Sequence, residues 1–331
     1  MPEATVGGSA AKISADEGAG PGTRGTRTRS AGVRGEADRA LGSEELAEIG
    51  MRFEVDGEIA TITLDRPDKR NAQTFATWSA LARIGNTLPG QVRVVVVRGE
   101  GPSFSAGIDL RMFTPEGVPG QGSFASVAAL DADVSGERIR QAQQGFLWLR
   151  RPDIVSIAVV QGYAIGAGFQ LALSCDLRIL GEDAKFCMKE PALGLVPDLT
   201  GTKPLVELVG VSKALEICLT ARVVEAGEAL RIGLAEQVVP VAELEAATAR
   251  LASALLTTDR AAAAATKRLL RGAQGRSLED QSAAERAEQV MRIQTMFGAH
   301  GAAGNDERTK SMRNVRDHPE NDPGGRAPSA G

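Results

Sequence analysis

The sequence predicts an α/β fold that becomes helical toward its C-terminal end. Three observations carry this reading. Apolar runs at 92–97 and 154–160 have the length and β-branched content of buried strands, and they alternate with helical patterns. Each run leads into a loop of small residues, SFSAGIDL at 103–110 and QGYAIGAGFQLALSCDL at 161–177. Beyond Thr202 the pattern is almost wholly helical.

Taken in order, residues 1–50 are rich in Gly, Ala, Ser, Thr and Arg and poor in apolar side chains, so a disordered tail is expected. Arg24, Arg27, Arg29 and Arg34 make it locally basic, but Glu3, Asp16, Glu17, Glu36 and Asp38 argue against a transit peptide. A hairpin follows, with strands at 53–55 and 59–64 around Asp56-Gly57, a strong turn pair. RPDKRNAQ at 66–73 leads to a helix over 74–88, stopped by Pro89-Gly90. After the first strand and loop, 115–122 is a Gly/Pro-rich loop and 136–150 a helix before Pro152. The second strand and loop run into a helix ending near Leu173, a strand at DLRIL and a short strand within 184–188. Helices are then expected at 203–209, 212–220, 226–232, 242–257, 260–271 and 278–296. The polar, Pro- and Gly-rich 301–331 reads as a second disordered tail. The folded part divides into a core over 51–240 and a helical subdomain over 241–300.

Composition narrows the chemistry. At 331 residues, 43% hydrophobic and 24% charged, the chain fits an ordinary soluble protein. A net charge of −4 gives no reason to expect nucleic acid or a membrane surface as partner. No apolar stretch is long enough to span a bilayer, and the N-terminus lacks the apolar core of a secretory signal. Cys175, Cys187 and Cys218 are widely spaced and form no metal motif, so packing roles in a reduced cytoplasm are expected and no metal site. The two histidines, His300 and His318, lie near the C-terminal end, which disfavours a Ser-His-Asp triad in the core. Acid–base work then falls to carboxylates, Lys or Tyr.

The paired loops suggest what that work is. Two tight turns can aim two backbone N–H groups at one oxygen and stabilise negative charge on a carbonyl. A dinucleotide site is disfavoured: Gly162, Gly166 and Gly168 have the wrong spacing, and the acidic residue expected at the end of the next strand is missing. Ser105 has no base partner in view as a nucleophile. Trp78 and Trp148 sit on helical patterns and read as core, and Asp176 as a local cap at a strand start.

Five segments occur in a fixed order: RPDKRNA, RGEGPSFSAGIDL, QGYAIGAGFQLALSCDLRI, FCMKEPALGLVPDLTGT and LTARVVEAGEALRIGLAEQVVP. Together they resemble the enoyl-CoA hydratase/isomerase (crotonase) family over about residues 51–296. The resemblance implies a crotonase-like core, a spiral of ββα turns, with C-terminal helices that build trimers or hexamers. It implies acyl-CoA substrates, with CoA as part of the substrate and no separate cofactor. It also implies an oxyanion hole from the backbone N–H groups of Ala106 and Ala167. Lys69, Arg70 and Ala72 would hold the nucleotide end. Ser105, Gly107, Ile108, Asp109 and Leu110 would line the pantetheine path. Tyr163, Gly166, Gln170 and Lys189 would border the acyl group, Tyr163 being as well explained by core packing.

One position departs from the family pattern. Hydratases of this family use two carboxylates, and the first position is here Gln170 while the second is Glu190. A Gln amide can hold a water but cannot take its proton near neutral pH. Moving a double bond needs one base, and Glu190 could serve. In the dienoyl-CoA isomerase branch an aspartate stands at the offset of Asp198, so Asp198 is a candidate second acid or, equally, a helix N-cap. The expectation is therefore double-bond isomerisation. Hydration of an enoyl-CoA in fatty-acid β-oxidation is the same-class alternative, and a non-catalytic acyl-CoA binder the other.

Overall fold

The computed structural model describes residues 39–297. It opens with helix α1 (Ser43–Ile49), followed by the antiparallel hairpin of β1 (Met51–Asp56) and β2 (Ile59–Leu64). Helix α2 (Phe75–Asn86) starts at a Thr74 cap whose hydroxyl accepts from Thr77 N–H. Strand β3 (Val94–Gly99) follows, then α3 (Phe124–Ala128), α4 (Ala132–Leu147) and β4 (Val155–Val160). Next come β5 (Tyr163–Ile165), α5 (Ala167–Ser174), β6 (Leu177–Gly181) and β7 (Lys185–Cys187). The chain continues through α6 (Thr202–Val209), α7 (Val211–Thr220), β8 (Val224–Glu225), α8 (Ala226–Arg231) and β9 (Gln237–Val239). It closes with α9 (Leu244–Leu256), α10 (Arg260–Gly272) and α11 (Leu278–Phe297). Among the described residues no helix is long and apolar enough to cross a membrane.

Six strands form one sheet in the order β1-β2-β3-β4-β6-β9, parallel from β2 onward, and β5-β7-β8 form a second, small sheet. The valine runs have a direct cause in this arrangement. Successive strand residues point to opposite faces, and both faces here are covered. Val95, Val97, Ala158, Val160 and Leu180 pack with α2, α4 and α5 side chains in one cluster. Val94, Val96, Ile157, Val159 and Ile179 pack with Leu244, Ala247 and Ala252 of α9 in another.

Several expectations need correcting. The expected N-terminal tail contains α1, whose Leu46 is buried against the core, while residues 1–38 and the tail at 301–331 lie outside the described residues. Part of the expected separate helical subdomain, α9, is one wall of the core. The stretch after Thr202 is almost wholly helical as expected, with β8 and β9 adding short strands to the two sheets. Two and three residues are too few to show a period, which hid them in the sequence. Asp198 caps no helix: α6 starts four residues later, behind Gly201. Asp176 bonds far from local neighbours, accepting from Ser156 N–H and from Lys267 Nζ at 2.8 and 2.6 Å.

Candidate active site

The site is assembled at the C-terminal ends of the parallel strands β3 and β4, where the two small-residue loops meet. Ligands of open parallel sheets gather at this edge because the loops there are free to vary. The loops are stitched together by backbone hydrogen bonds. Phe104 N–H donates to Gln161 O, Ser105 N–H to Tyr163 O, and Ile165 N–H to Ser105 O, all within 2.9 Å. A parallel bridge Ser105↔Ala164 fixes the register.

The RPDKRNAQ segment braces this junction. Arg70 and Asn71 both adopt left-handed conformations, with φ 48 and 56. That turn directs Arg70 O to the N–H of Ala106 and Asn71 O to the hydroxyl of Ser105, each at 2.8 Å. The Asn71 amide then donates to Glu100 O and Ser103 O. Asn tolerates this backbone region better than most residues.

These bonds engage one of the expected donors. Ala106 was the expected oxyanion donor, but its N–H is taken by Arg70 O. Gly107 N–H faces Ser105 Oγ at 3.2 Å, and Asp109 N–H donates to Gln73 O. Between them Ile108 N–H has no acceptor among the described residues. Across the junction, Ala167 is the fully buried first residue of α5, where a helix leaves its N–H without an internal partner. Gly107, at φ 90, makes the approach possible: a Cβ there would lie 2.4 Å from Ile165 O and 3.5 Å from Ala167 N. Among the described residues, two backbone N–H groups without an internal acceptor therefore lie at one junction, those of Ile108 and Ala167 rather than Ala106 and Ala167.

The acid–base side lies against the start of α5. Glu190 is 4% exposed, and a Cβ on Gly166 would come within 3.1 Å of its Oε1. Gln170, fully buried one turn into α5, donates from Nε2 to Glu190 Oε1 at 2.7 Å. Glu190 Oε2 is buried with no partner among the described residues. Burial pushes the Glu190 carboxyl above its ordinary value, countered by the nearby backbone N–H groups of Glu190 and Lys189 and by the Gln170 hydrogen bond, and reinforced by the charge of Asp198. Asp198 is also pushed up by burial, and its backbone carbonyl accepts from Gln143 Nε2 at 2.8 Å. The two carboxyls are thus brought into one electrostatic neighbourhood.

The other expected site residues divide. Lys69, Arg70 and Lys189 are exposed, as is Leu110 at 77%. Tyr163 is 39% exposed rather than in the core, its ring flanked by Arg70 and by Lys185, each 5.8 Å from the centroid. Ser105 and Asp109 do not line an open path. Ser105 is fully buried, with its hydroxyl bonded to Asn71 O, Gln73 Nε2 and Gly107 N–H. Asp109 is buried between Arg66 and Arg111, whose guanidinium groups hold its carboxyl well below the usual range. Ala72, expected at the nucleotide end, has its N–H on Lys69 O and its carbonyl on Arg66, so both its backbone groups are already engaged. Buried, fully bonded polar groups of this kind hold loops in shape. Among the described residues, no three His, Cys, Asp or Glu side chains are grouped to hold a metal ion.

The fold and site define an α/β protein with free backbone amides and a buried carboxyl at one edge of a parallel sheet. The family model Enoyl-CoA hydratase/isomerase matches residues 54–311. A carnitinyl-CoA dehydratase from Salmonella typhi is 34% identical over 234 residues, covering 68% of this chain and 81% of the relative. A short-chain-enoyl-CoA hydratase from Clostridium acetobutylicum is 32% identical over 203 residues, covering 58% and 69%. A Thermobifida fusca YX structure solved with acetoacetyl-CoA superposes with a TM-score of 0.75 at 56% identity, covering 77% of this chain and 99% of that one. The chain belongs to the enoyl-CoA hydratase/isomerase family, and it has the crotonase fold.

Proposed function

We propose that the protein moves a double bond in an unsaturated acyl-CoA thioester, using Glu190 as the proton carrier. The observation that carries this reading is the pairing of a buried, half-partnered Glu190 carboxyl with Gln170 at the other acid–base position. The thioester oxygen accepts from Ile108 and Ala167 N–H. Glu190 takes a proton from the carbon beside the carbonyl, and the electron pair spreads into a dienolate whose charge rests on that oxygen. Glu190 then returns the proton to the far carbon of the allylic system, and the double bond shifts into conjugation. Each backbone donor is worth about 3 kcal/mol of barrier in sites of this type. Burial suits Glu190 to the task, because raising its carboxyl makes it the stronger base while leaving it able to return the proton.

The CoA moiety belongs to the substrate, with no separate cofactor. Lys69 and Arg70 fit its phosphates, since both are exposed and neither has a carboxylate partner among the described residues. A homotrimer or homohexamer is part of the reading, supported by the exposed apolar side chains of α11, Val290, Met291, Ile293 and Phe297. Hydration of a 2-enoyl-CoA is the second reading, favoured by Asp198 near Glu190 and by the hydratase named among its relatives. Mass spectrometry separates the two. Isomerisation of 3-enoyl-CoA leaves the mass unchanged and builds the conjugated thioester absorbance, whereas hydration of 2-enoyl-CoA adds one water. Glu190→Gln should lower turnover about a thousandfold; wild-type turnover in that variant overturns the assignment.

A further inference from the structure

Gln170 is buried in a position where both ends of its amide are spoken for. Its Oε1 accepts from Leu199 N–H at 2.8 Å and from Gly201 N–H at 3.3 Å. Backbone N–H groups only donate, so the atom facing them is the amide oxygen and the NH2 group faces Glu190. The clamp has a local backbone cause. Thr200, between the two donors, stands at φ 69, a left-handed conformation uncommon for a β-branched residue. That conformation turns the N–H groups on either side of it toward one acceptor. Ser174 Oγ bonds Gln170 O at 2.8 Å and lies 3.3 Å from Thr200 Oγ1, tying the same turn to α5.

We propose that Gln170 is a positioning residue that assigns the mobile proton of the site to Glu190 Oε2, by presenting a fixed N–H donor to Oε1. An oxygen that must accept from the amide cannot hold a proton pointing along the same line, so protonation falls on the other oxygen. That other oxygen is the buried, unpartnered one. The same clamp sets the backbone immediately after Asp198, so one side chain fixes both carboxyl-bearing segments relative to α5. The Gln in place of a carboxylate is then a working part of the site rather than only the loss of a second base. The inference rests on Glu190 as acid–base group, but it concerns which oxygen acts and what holds it.

The test combines Gln170→Leu, Gln170→Glu and a titration that needs no turnover. The infrared band of the Glu190 carboxyl is isolated in 13C-glutamate-labelled protein as the difference between wild type and Glu190→Gln. The ionisable groups facing Glu190 are Asp198, Cys187 on β7 and Cys218 on α7, with Lys189 next in the chain, and all are retained in both variants. Gln170→Leu removes the donor, so the carboxyl should titrate at higher pH and the acid limb of the kcat profile should move the same way, with kcat at pH 7 falling about tenfold or more. Gln170→Glu is isosteric and keeps the acceptor for Leu199 and Gly201. It should titrate as a coupled pair in two steps, with activity recovering on the acid side, where one shared proton replaces the amide donor. A Glu190 band and pH profile unchanged in both variants overturn the proposal. Should Gln170→Leu fail to fold, Gln170→Glu decides alone. Should wild type turn over no enoyl-CoA, the functional reading fails while the infrared titration still decides the role of Gln170.

Discussion

Two carboxylates stand at opposite ends of α5 and live under opposite conditions. Asp176, just past its C-terminal end, accepts from Ser156 N–H, Ser156 Oγ and Lys267 Nζ and pairs with Arg271. Glu190, against its N-terminal end, has one side-chain donor and a bare buried oxygen. Both are removed from water, yet only the first has its lone pairs filled. A saturated carboxylate holds structure: through Lys267, which also donates to Arg151 O and Ile154 O, it pins α10 to the strand starts. An undersaturated one keeps a site for a proton that can leave and return. The difference locates chemistry more sharply than burial or charge does alone.

Removing each charge should therefore have opposite consequences. Glu190→Gln, besides its thousandfold loss of turnover, should raise the melting temperature. The sign follows from the direction of the shift. Glu190 is pushed above its unfolded value, so its ionised form is the costly one in the folded state. Wild type and variant should melt alike in acid, and the advantage of the variant should grow as pH rises through the Glu190 titration. Lys267→Met should do the reverse, destabilising by about 3 kcal/mol, because it leaves a buried carboxylate short of a partner. Its folded fraction should keep wild-type kcat and KM. Thermal melts across pH, with kinetics below the transition, read both; equal destabilisation by the two variants would erase the distinction.

Much of this was legible in the chain, for physical reasons. Covered parallel strands need continuous apolar runs, so β3, β4 and the helices around them announce themselves. The small-residue loops showed where backbone donors would be exposed. The unengaged N–H lies two residues beyond the expected Ala106, since which N–H stays free depends on where Arg70 O points. That in turn follows from left-handed backbone at Arg70 and Asn71, which residue type only hints at. Asp176 failed in the same way: its partners Lys267 and Arg271 lie 91 and 95 residues away, and no local pattern reports such a pairing. Gln170 was visible as a departure, but its clamp at Leu199 and Gly201 is a tertiary contact.

The loop junction offers a third contrast, between donors that are used internally and donors that are free. Gly107→Ala places a methyl group against Ile165 O and asks an L-residue to hold φ 90. The junction must open, and the free N–H groups of Ile108 and Ala167 separate. Turnover should fall about a hundredfold, with little change in KM, because the loss falls on charge present only in the transition state. Glu190 should still titrate as in wild type. A variant that folds and keeps wild-type kcat would remove the junction from the mechanism and return the carbonyl to other donors.

The smallest expected effect tests whether the second carboxyl joins the first in chemistry. Asp198 has no side-chain partner within hydrogen-bonding reach among the described residues, and its charge adds to the push on Glu190. If Asp198 only raises its neighbour, Asp198→Asn lowers the Glu190 titration, moves the acid limb of the kcat profile to lower pH, and costs about tenfold or less at pH 7. If Asp198 also delivers or accepts a proton itself, as hydration through two carboxyls would require, the profile shifts the same way but the loss is nearer the hundredfold typical of a general acid–base group. The same variant thus separates an electrostatic neighbour from a reacting one, and with it isomerisation from hydration. Asp198 was brought to Glu190 by the turn that Gln170 clamps, so its effect should vanish in a Gln170→Leu background where that turn is released.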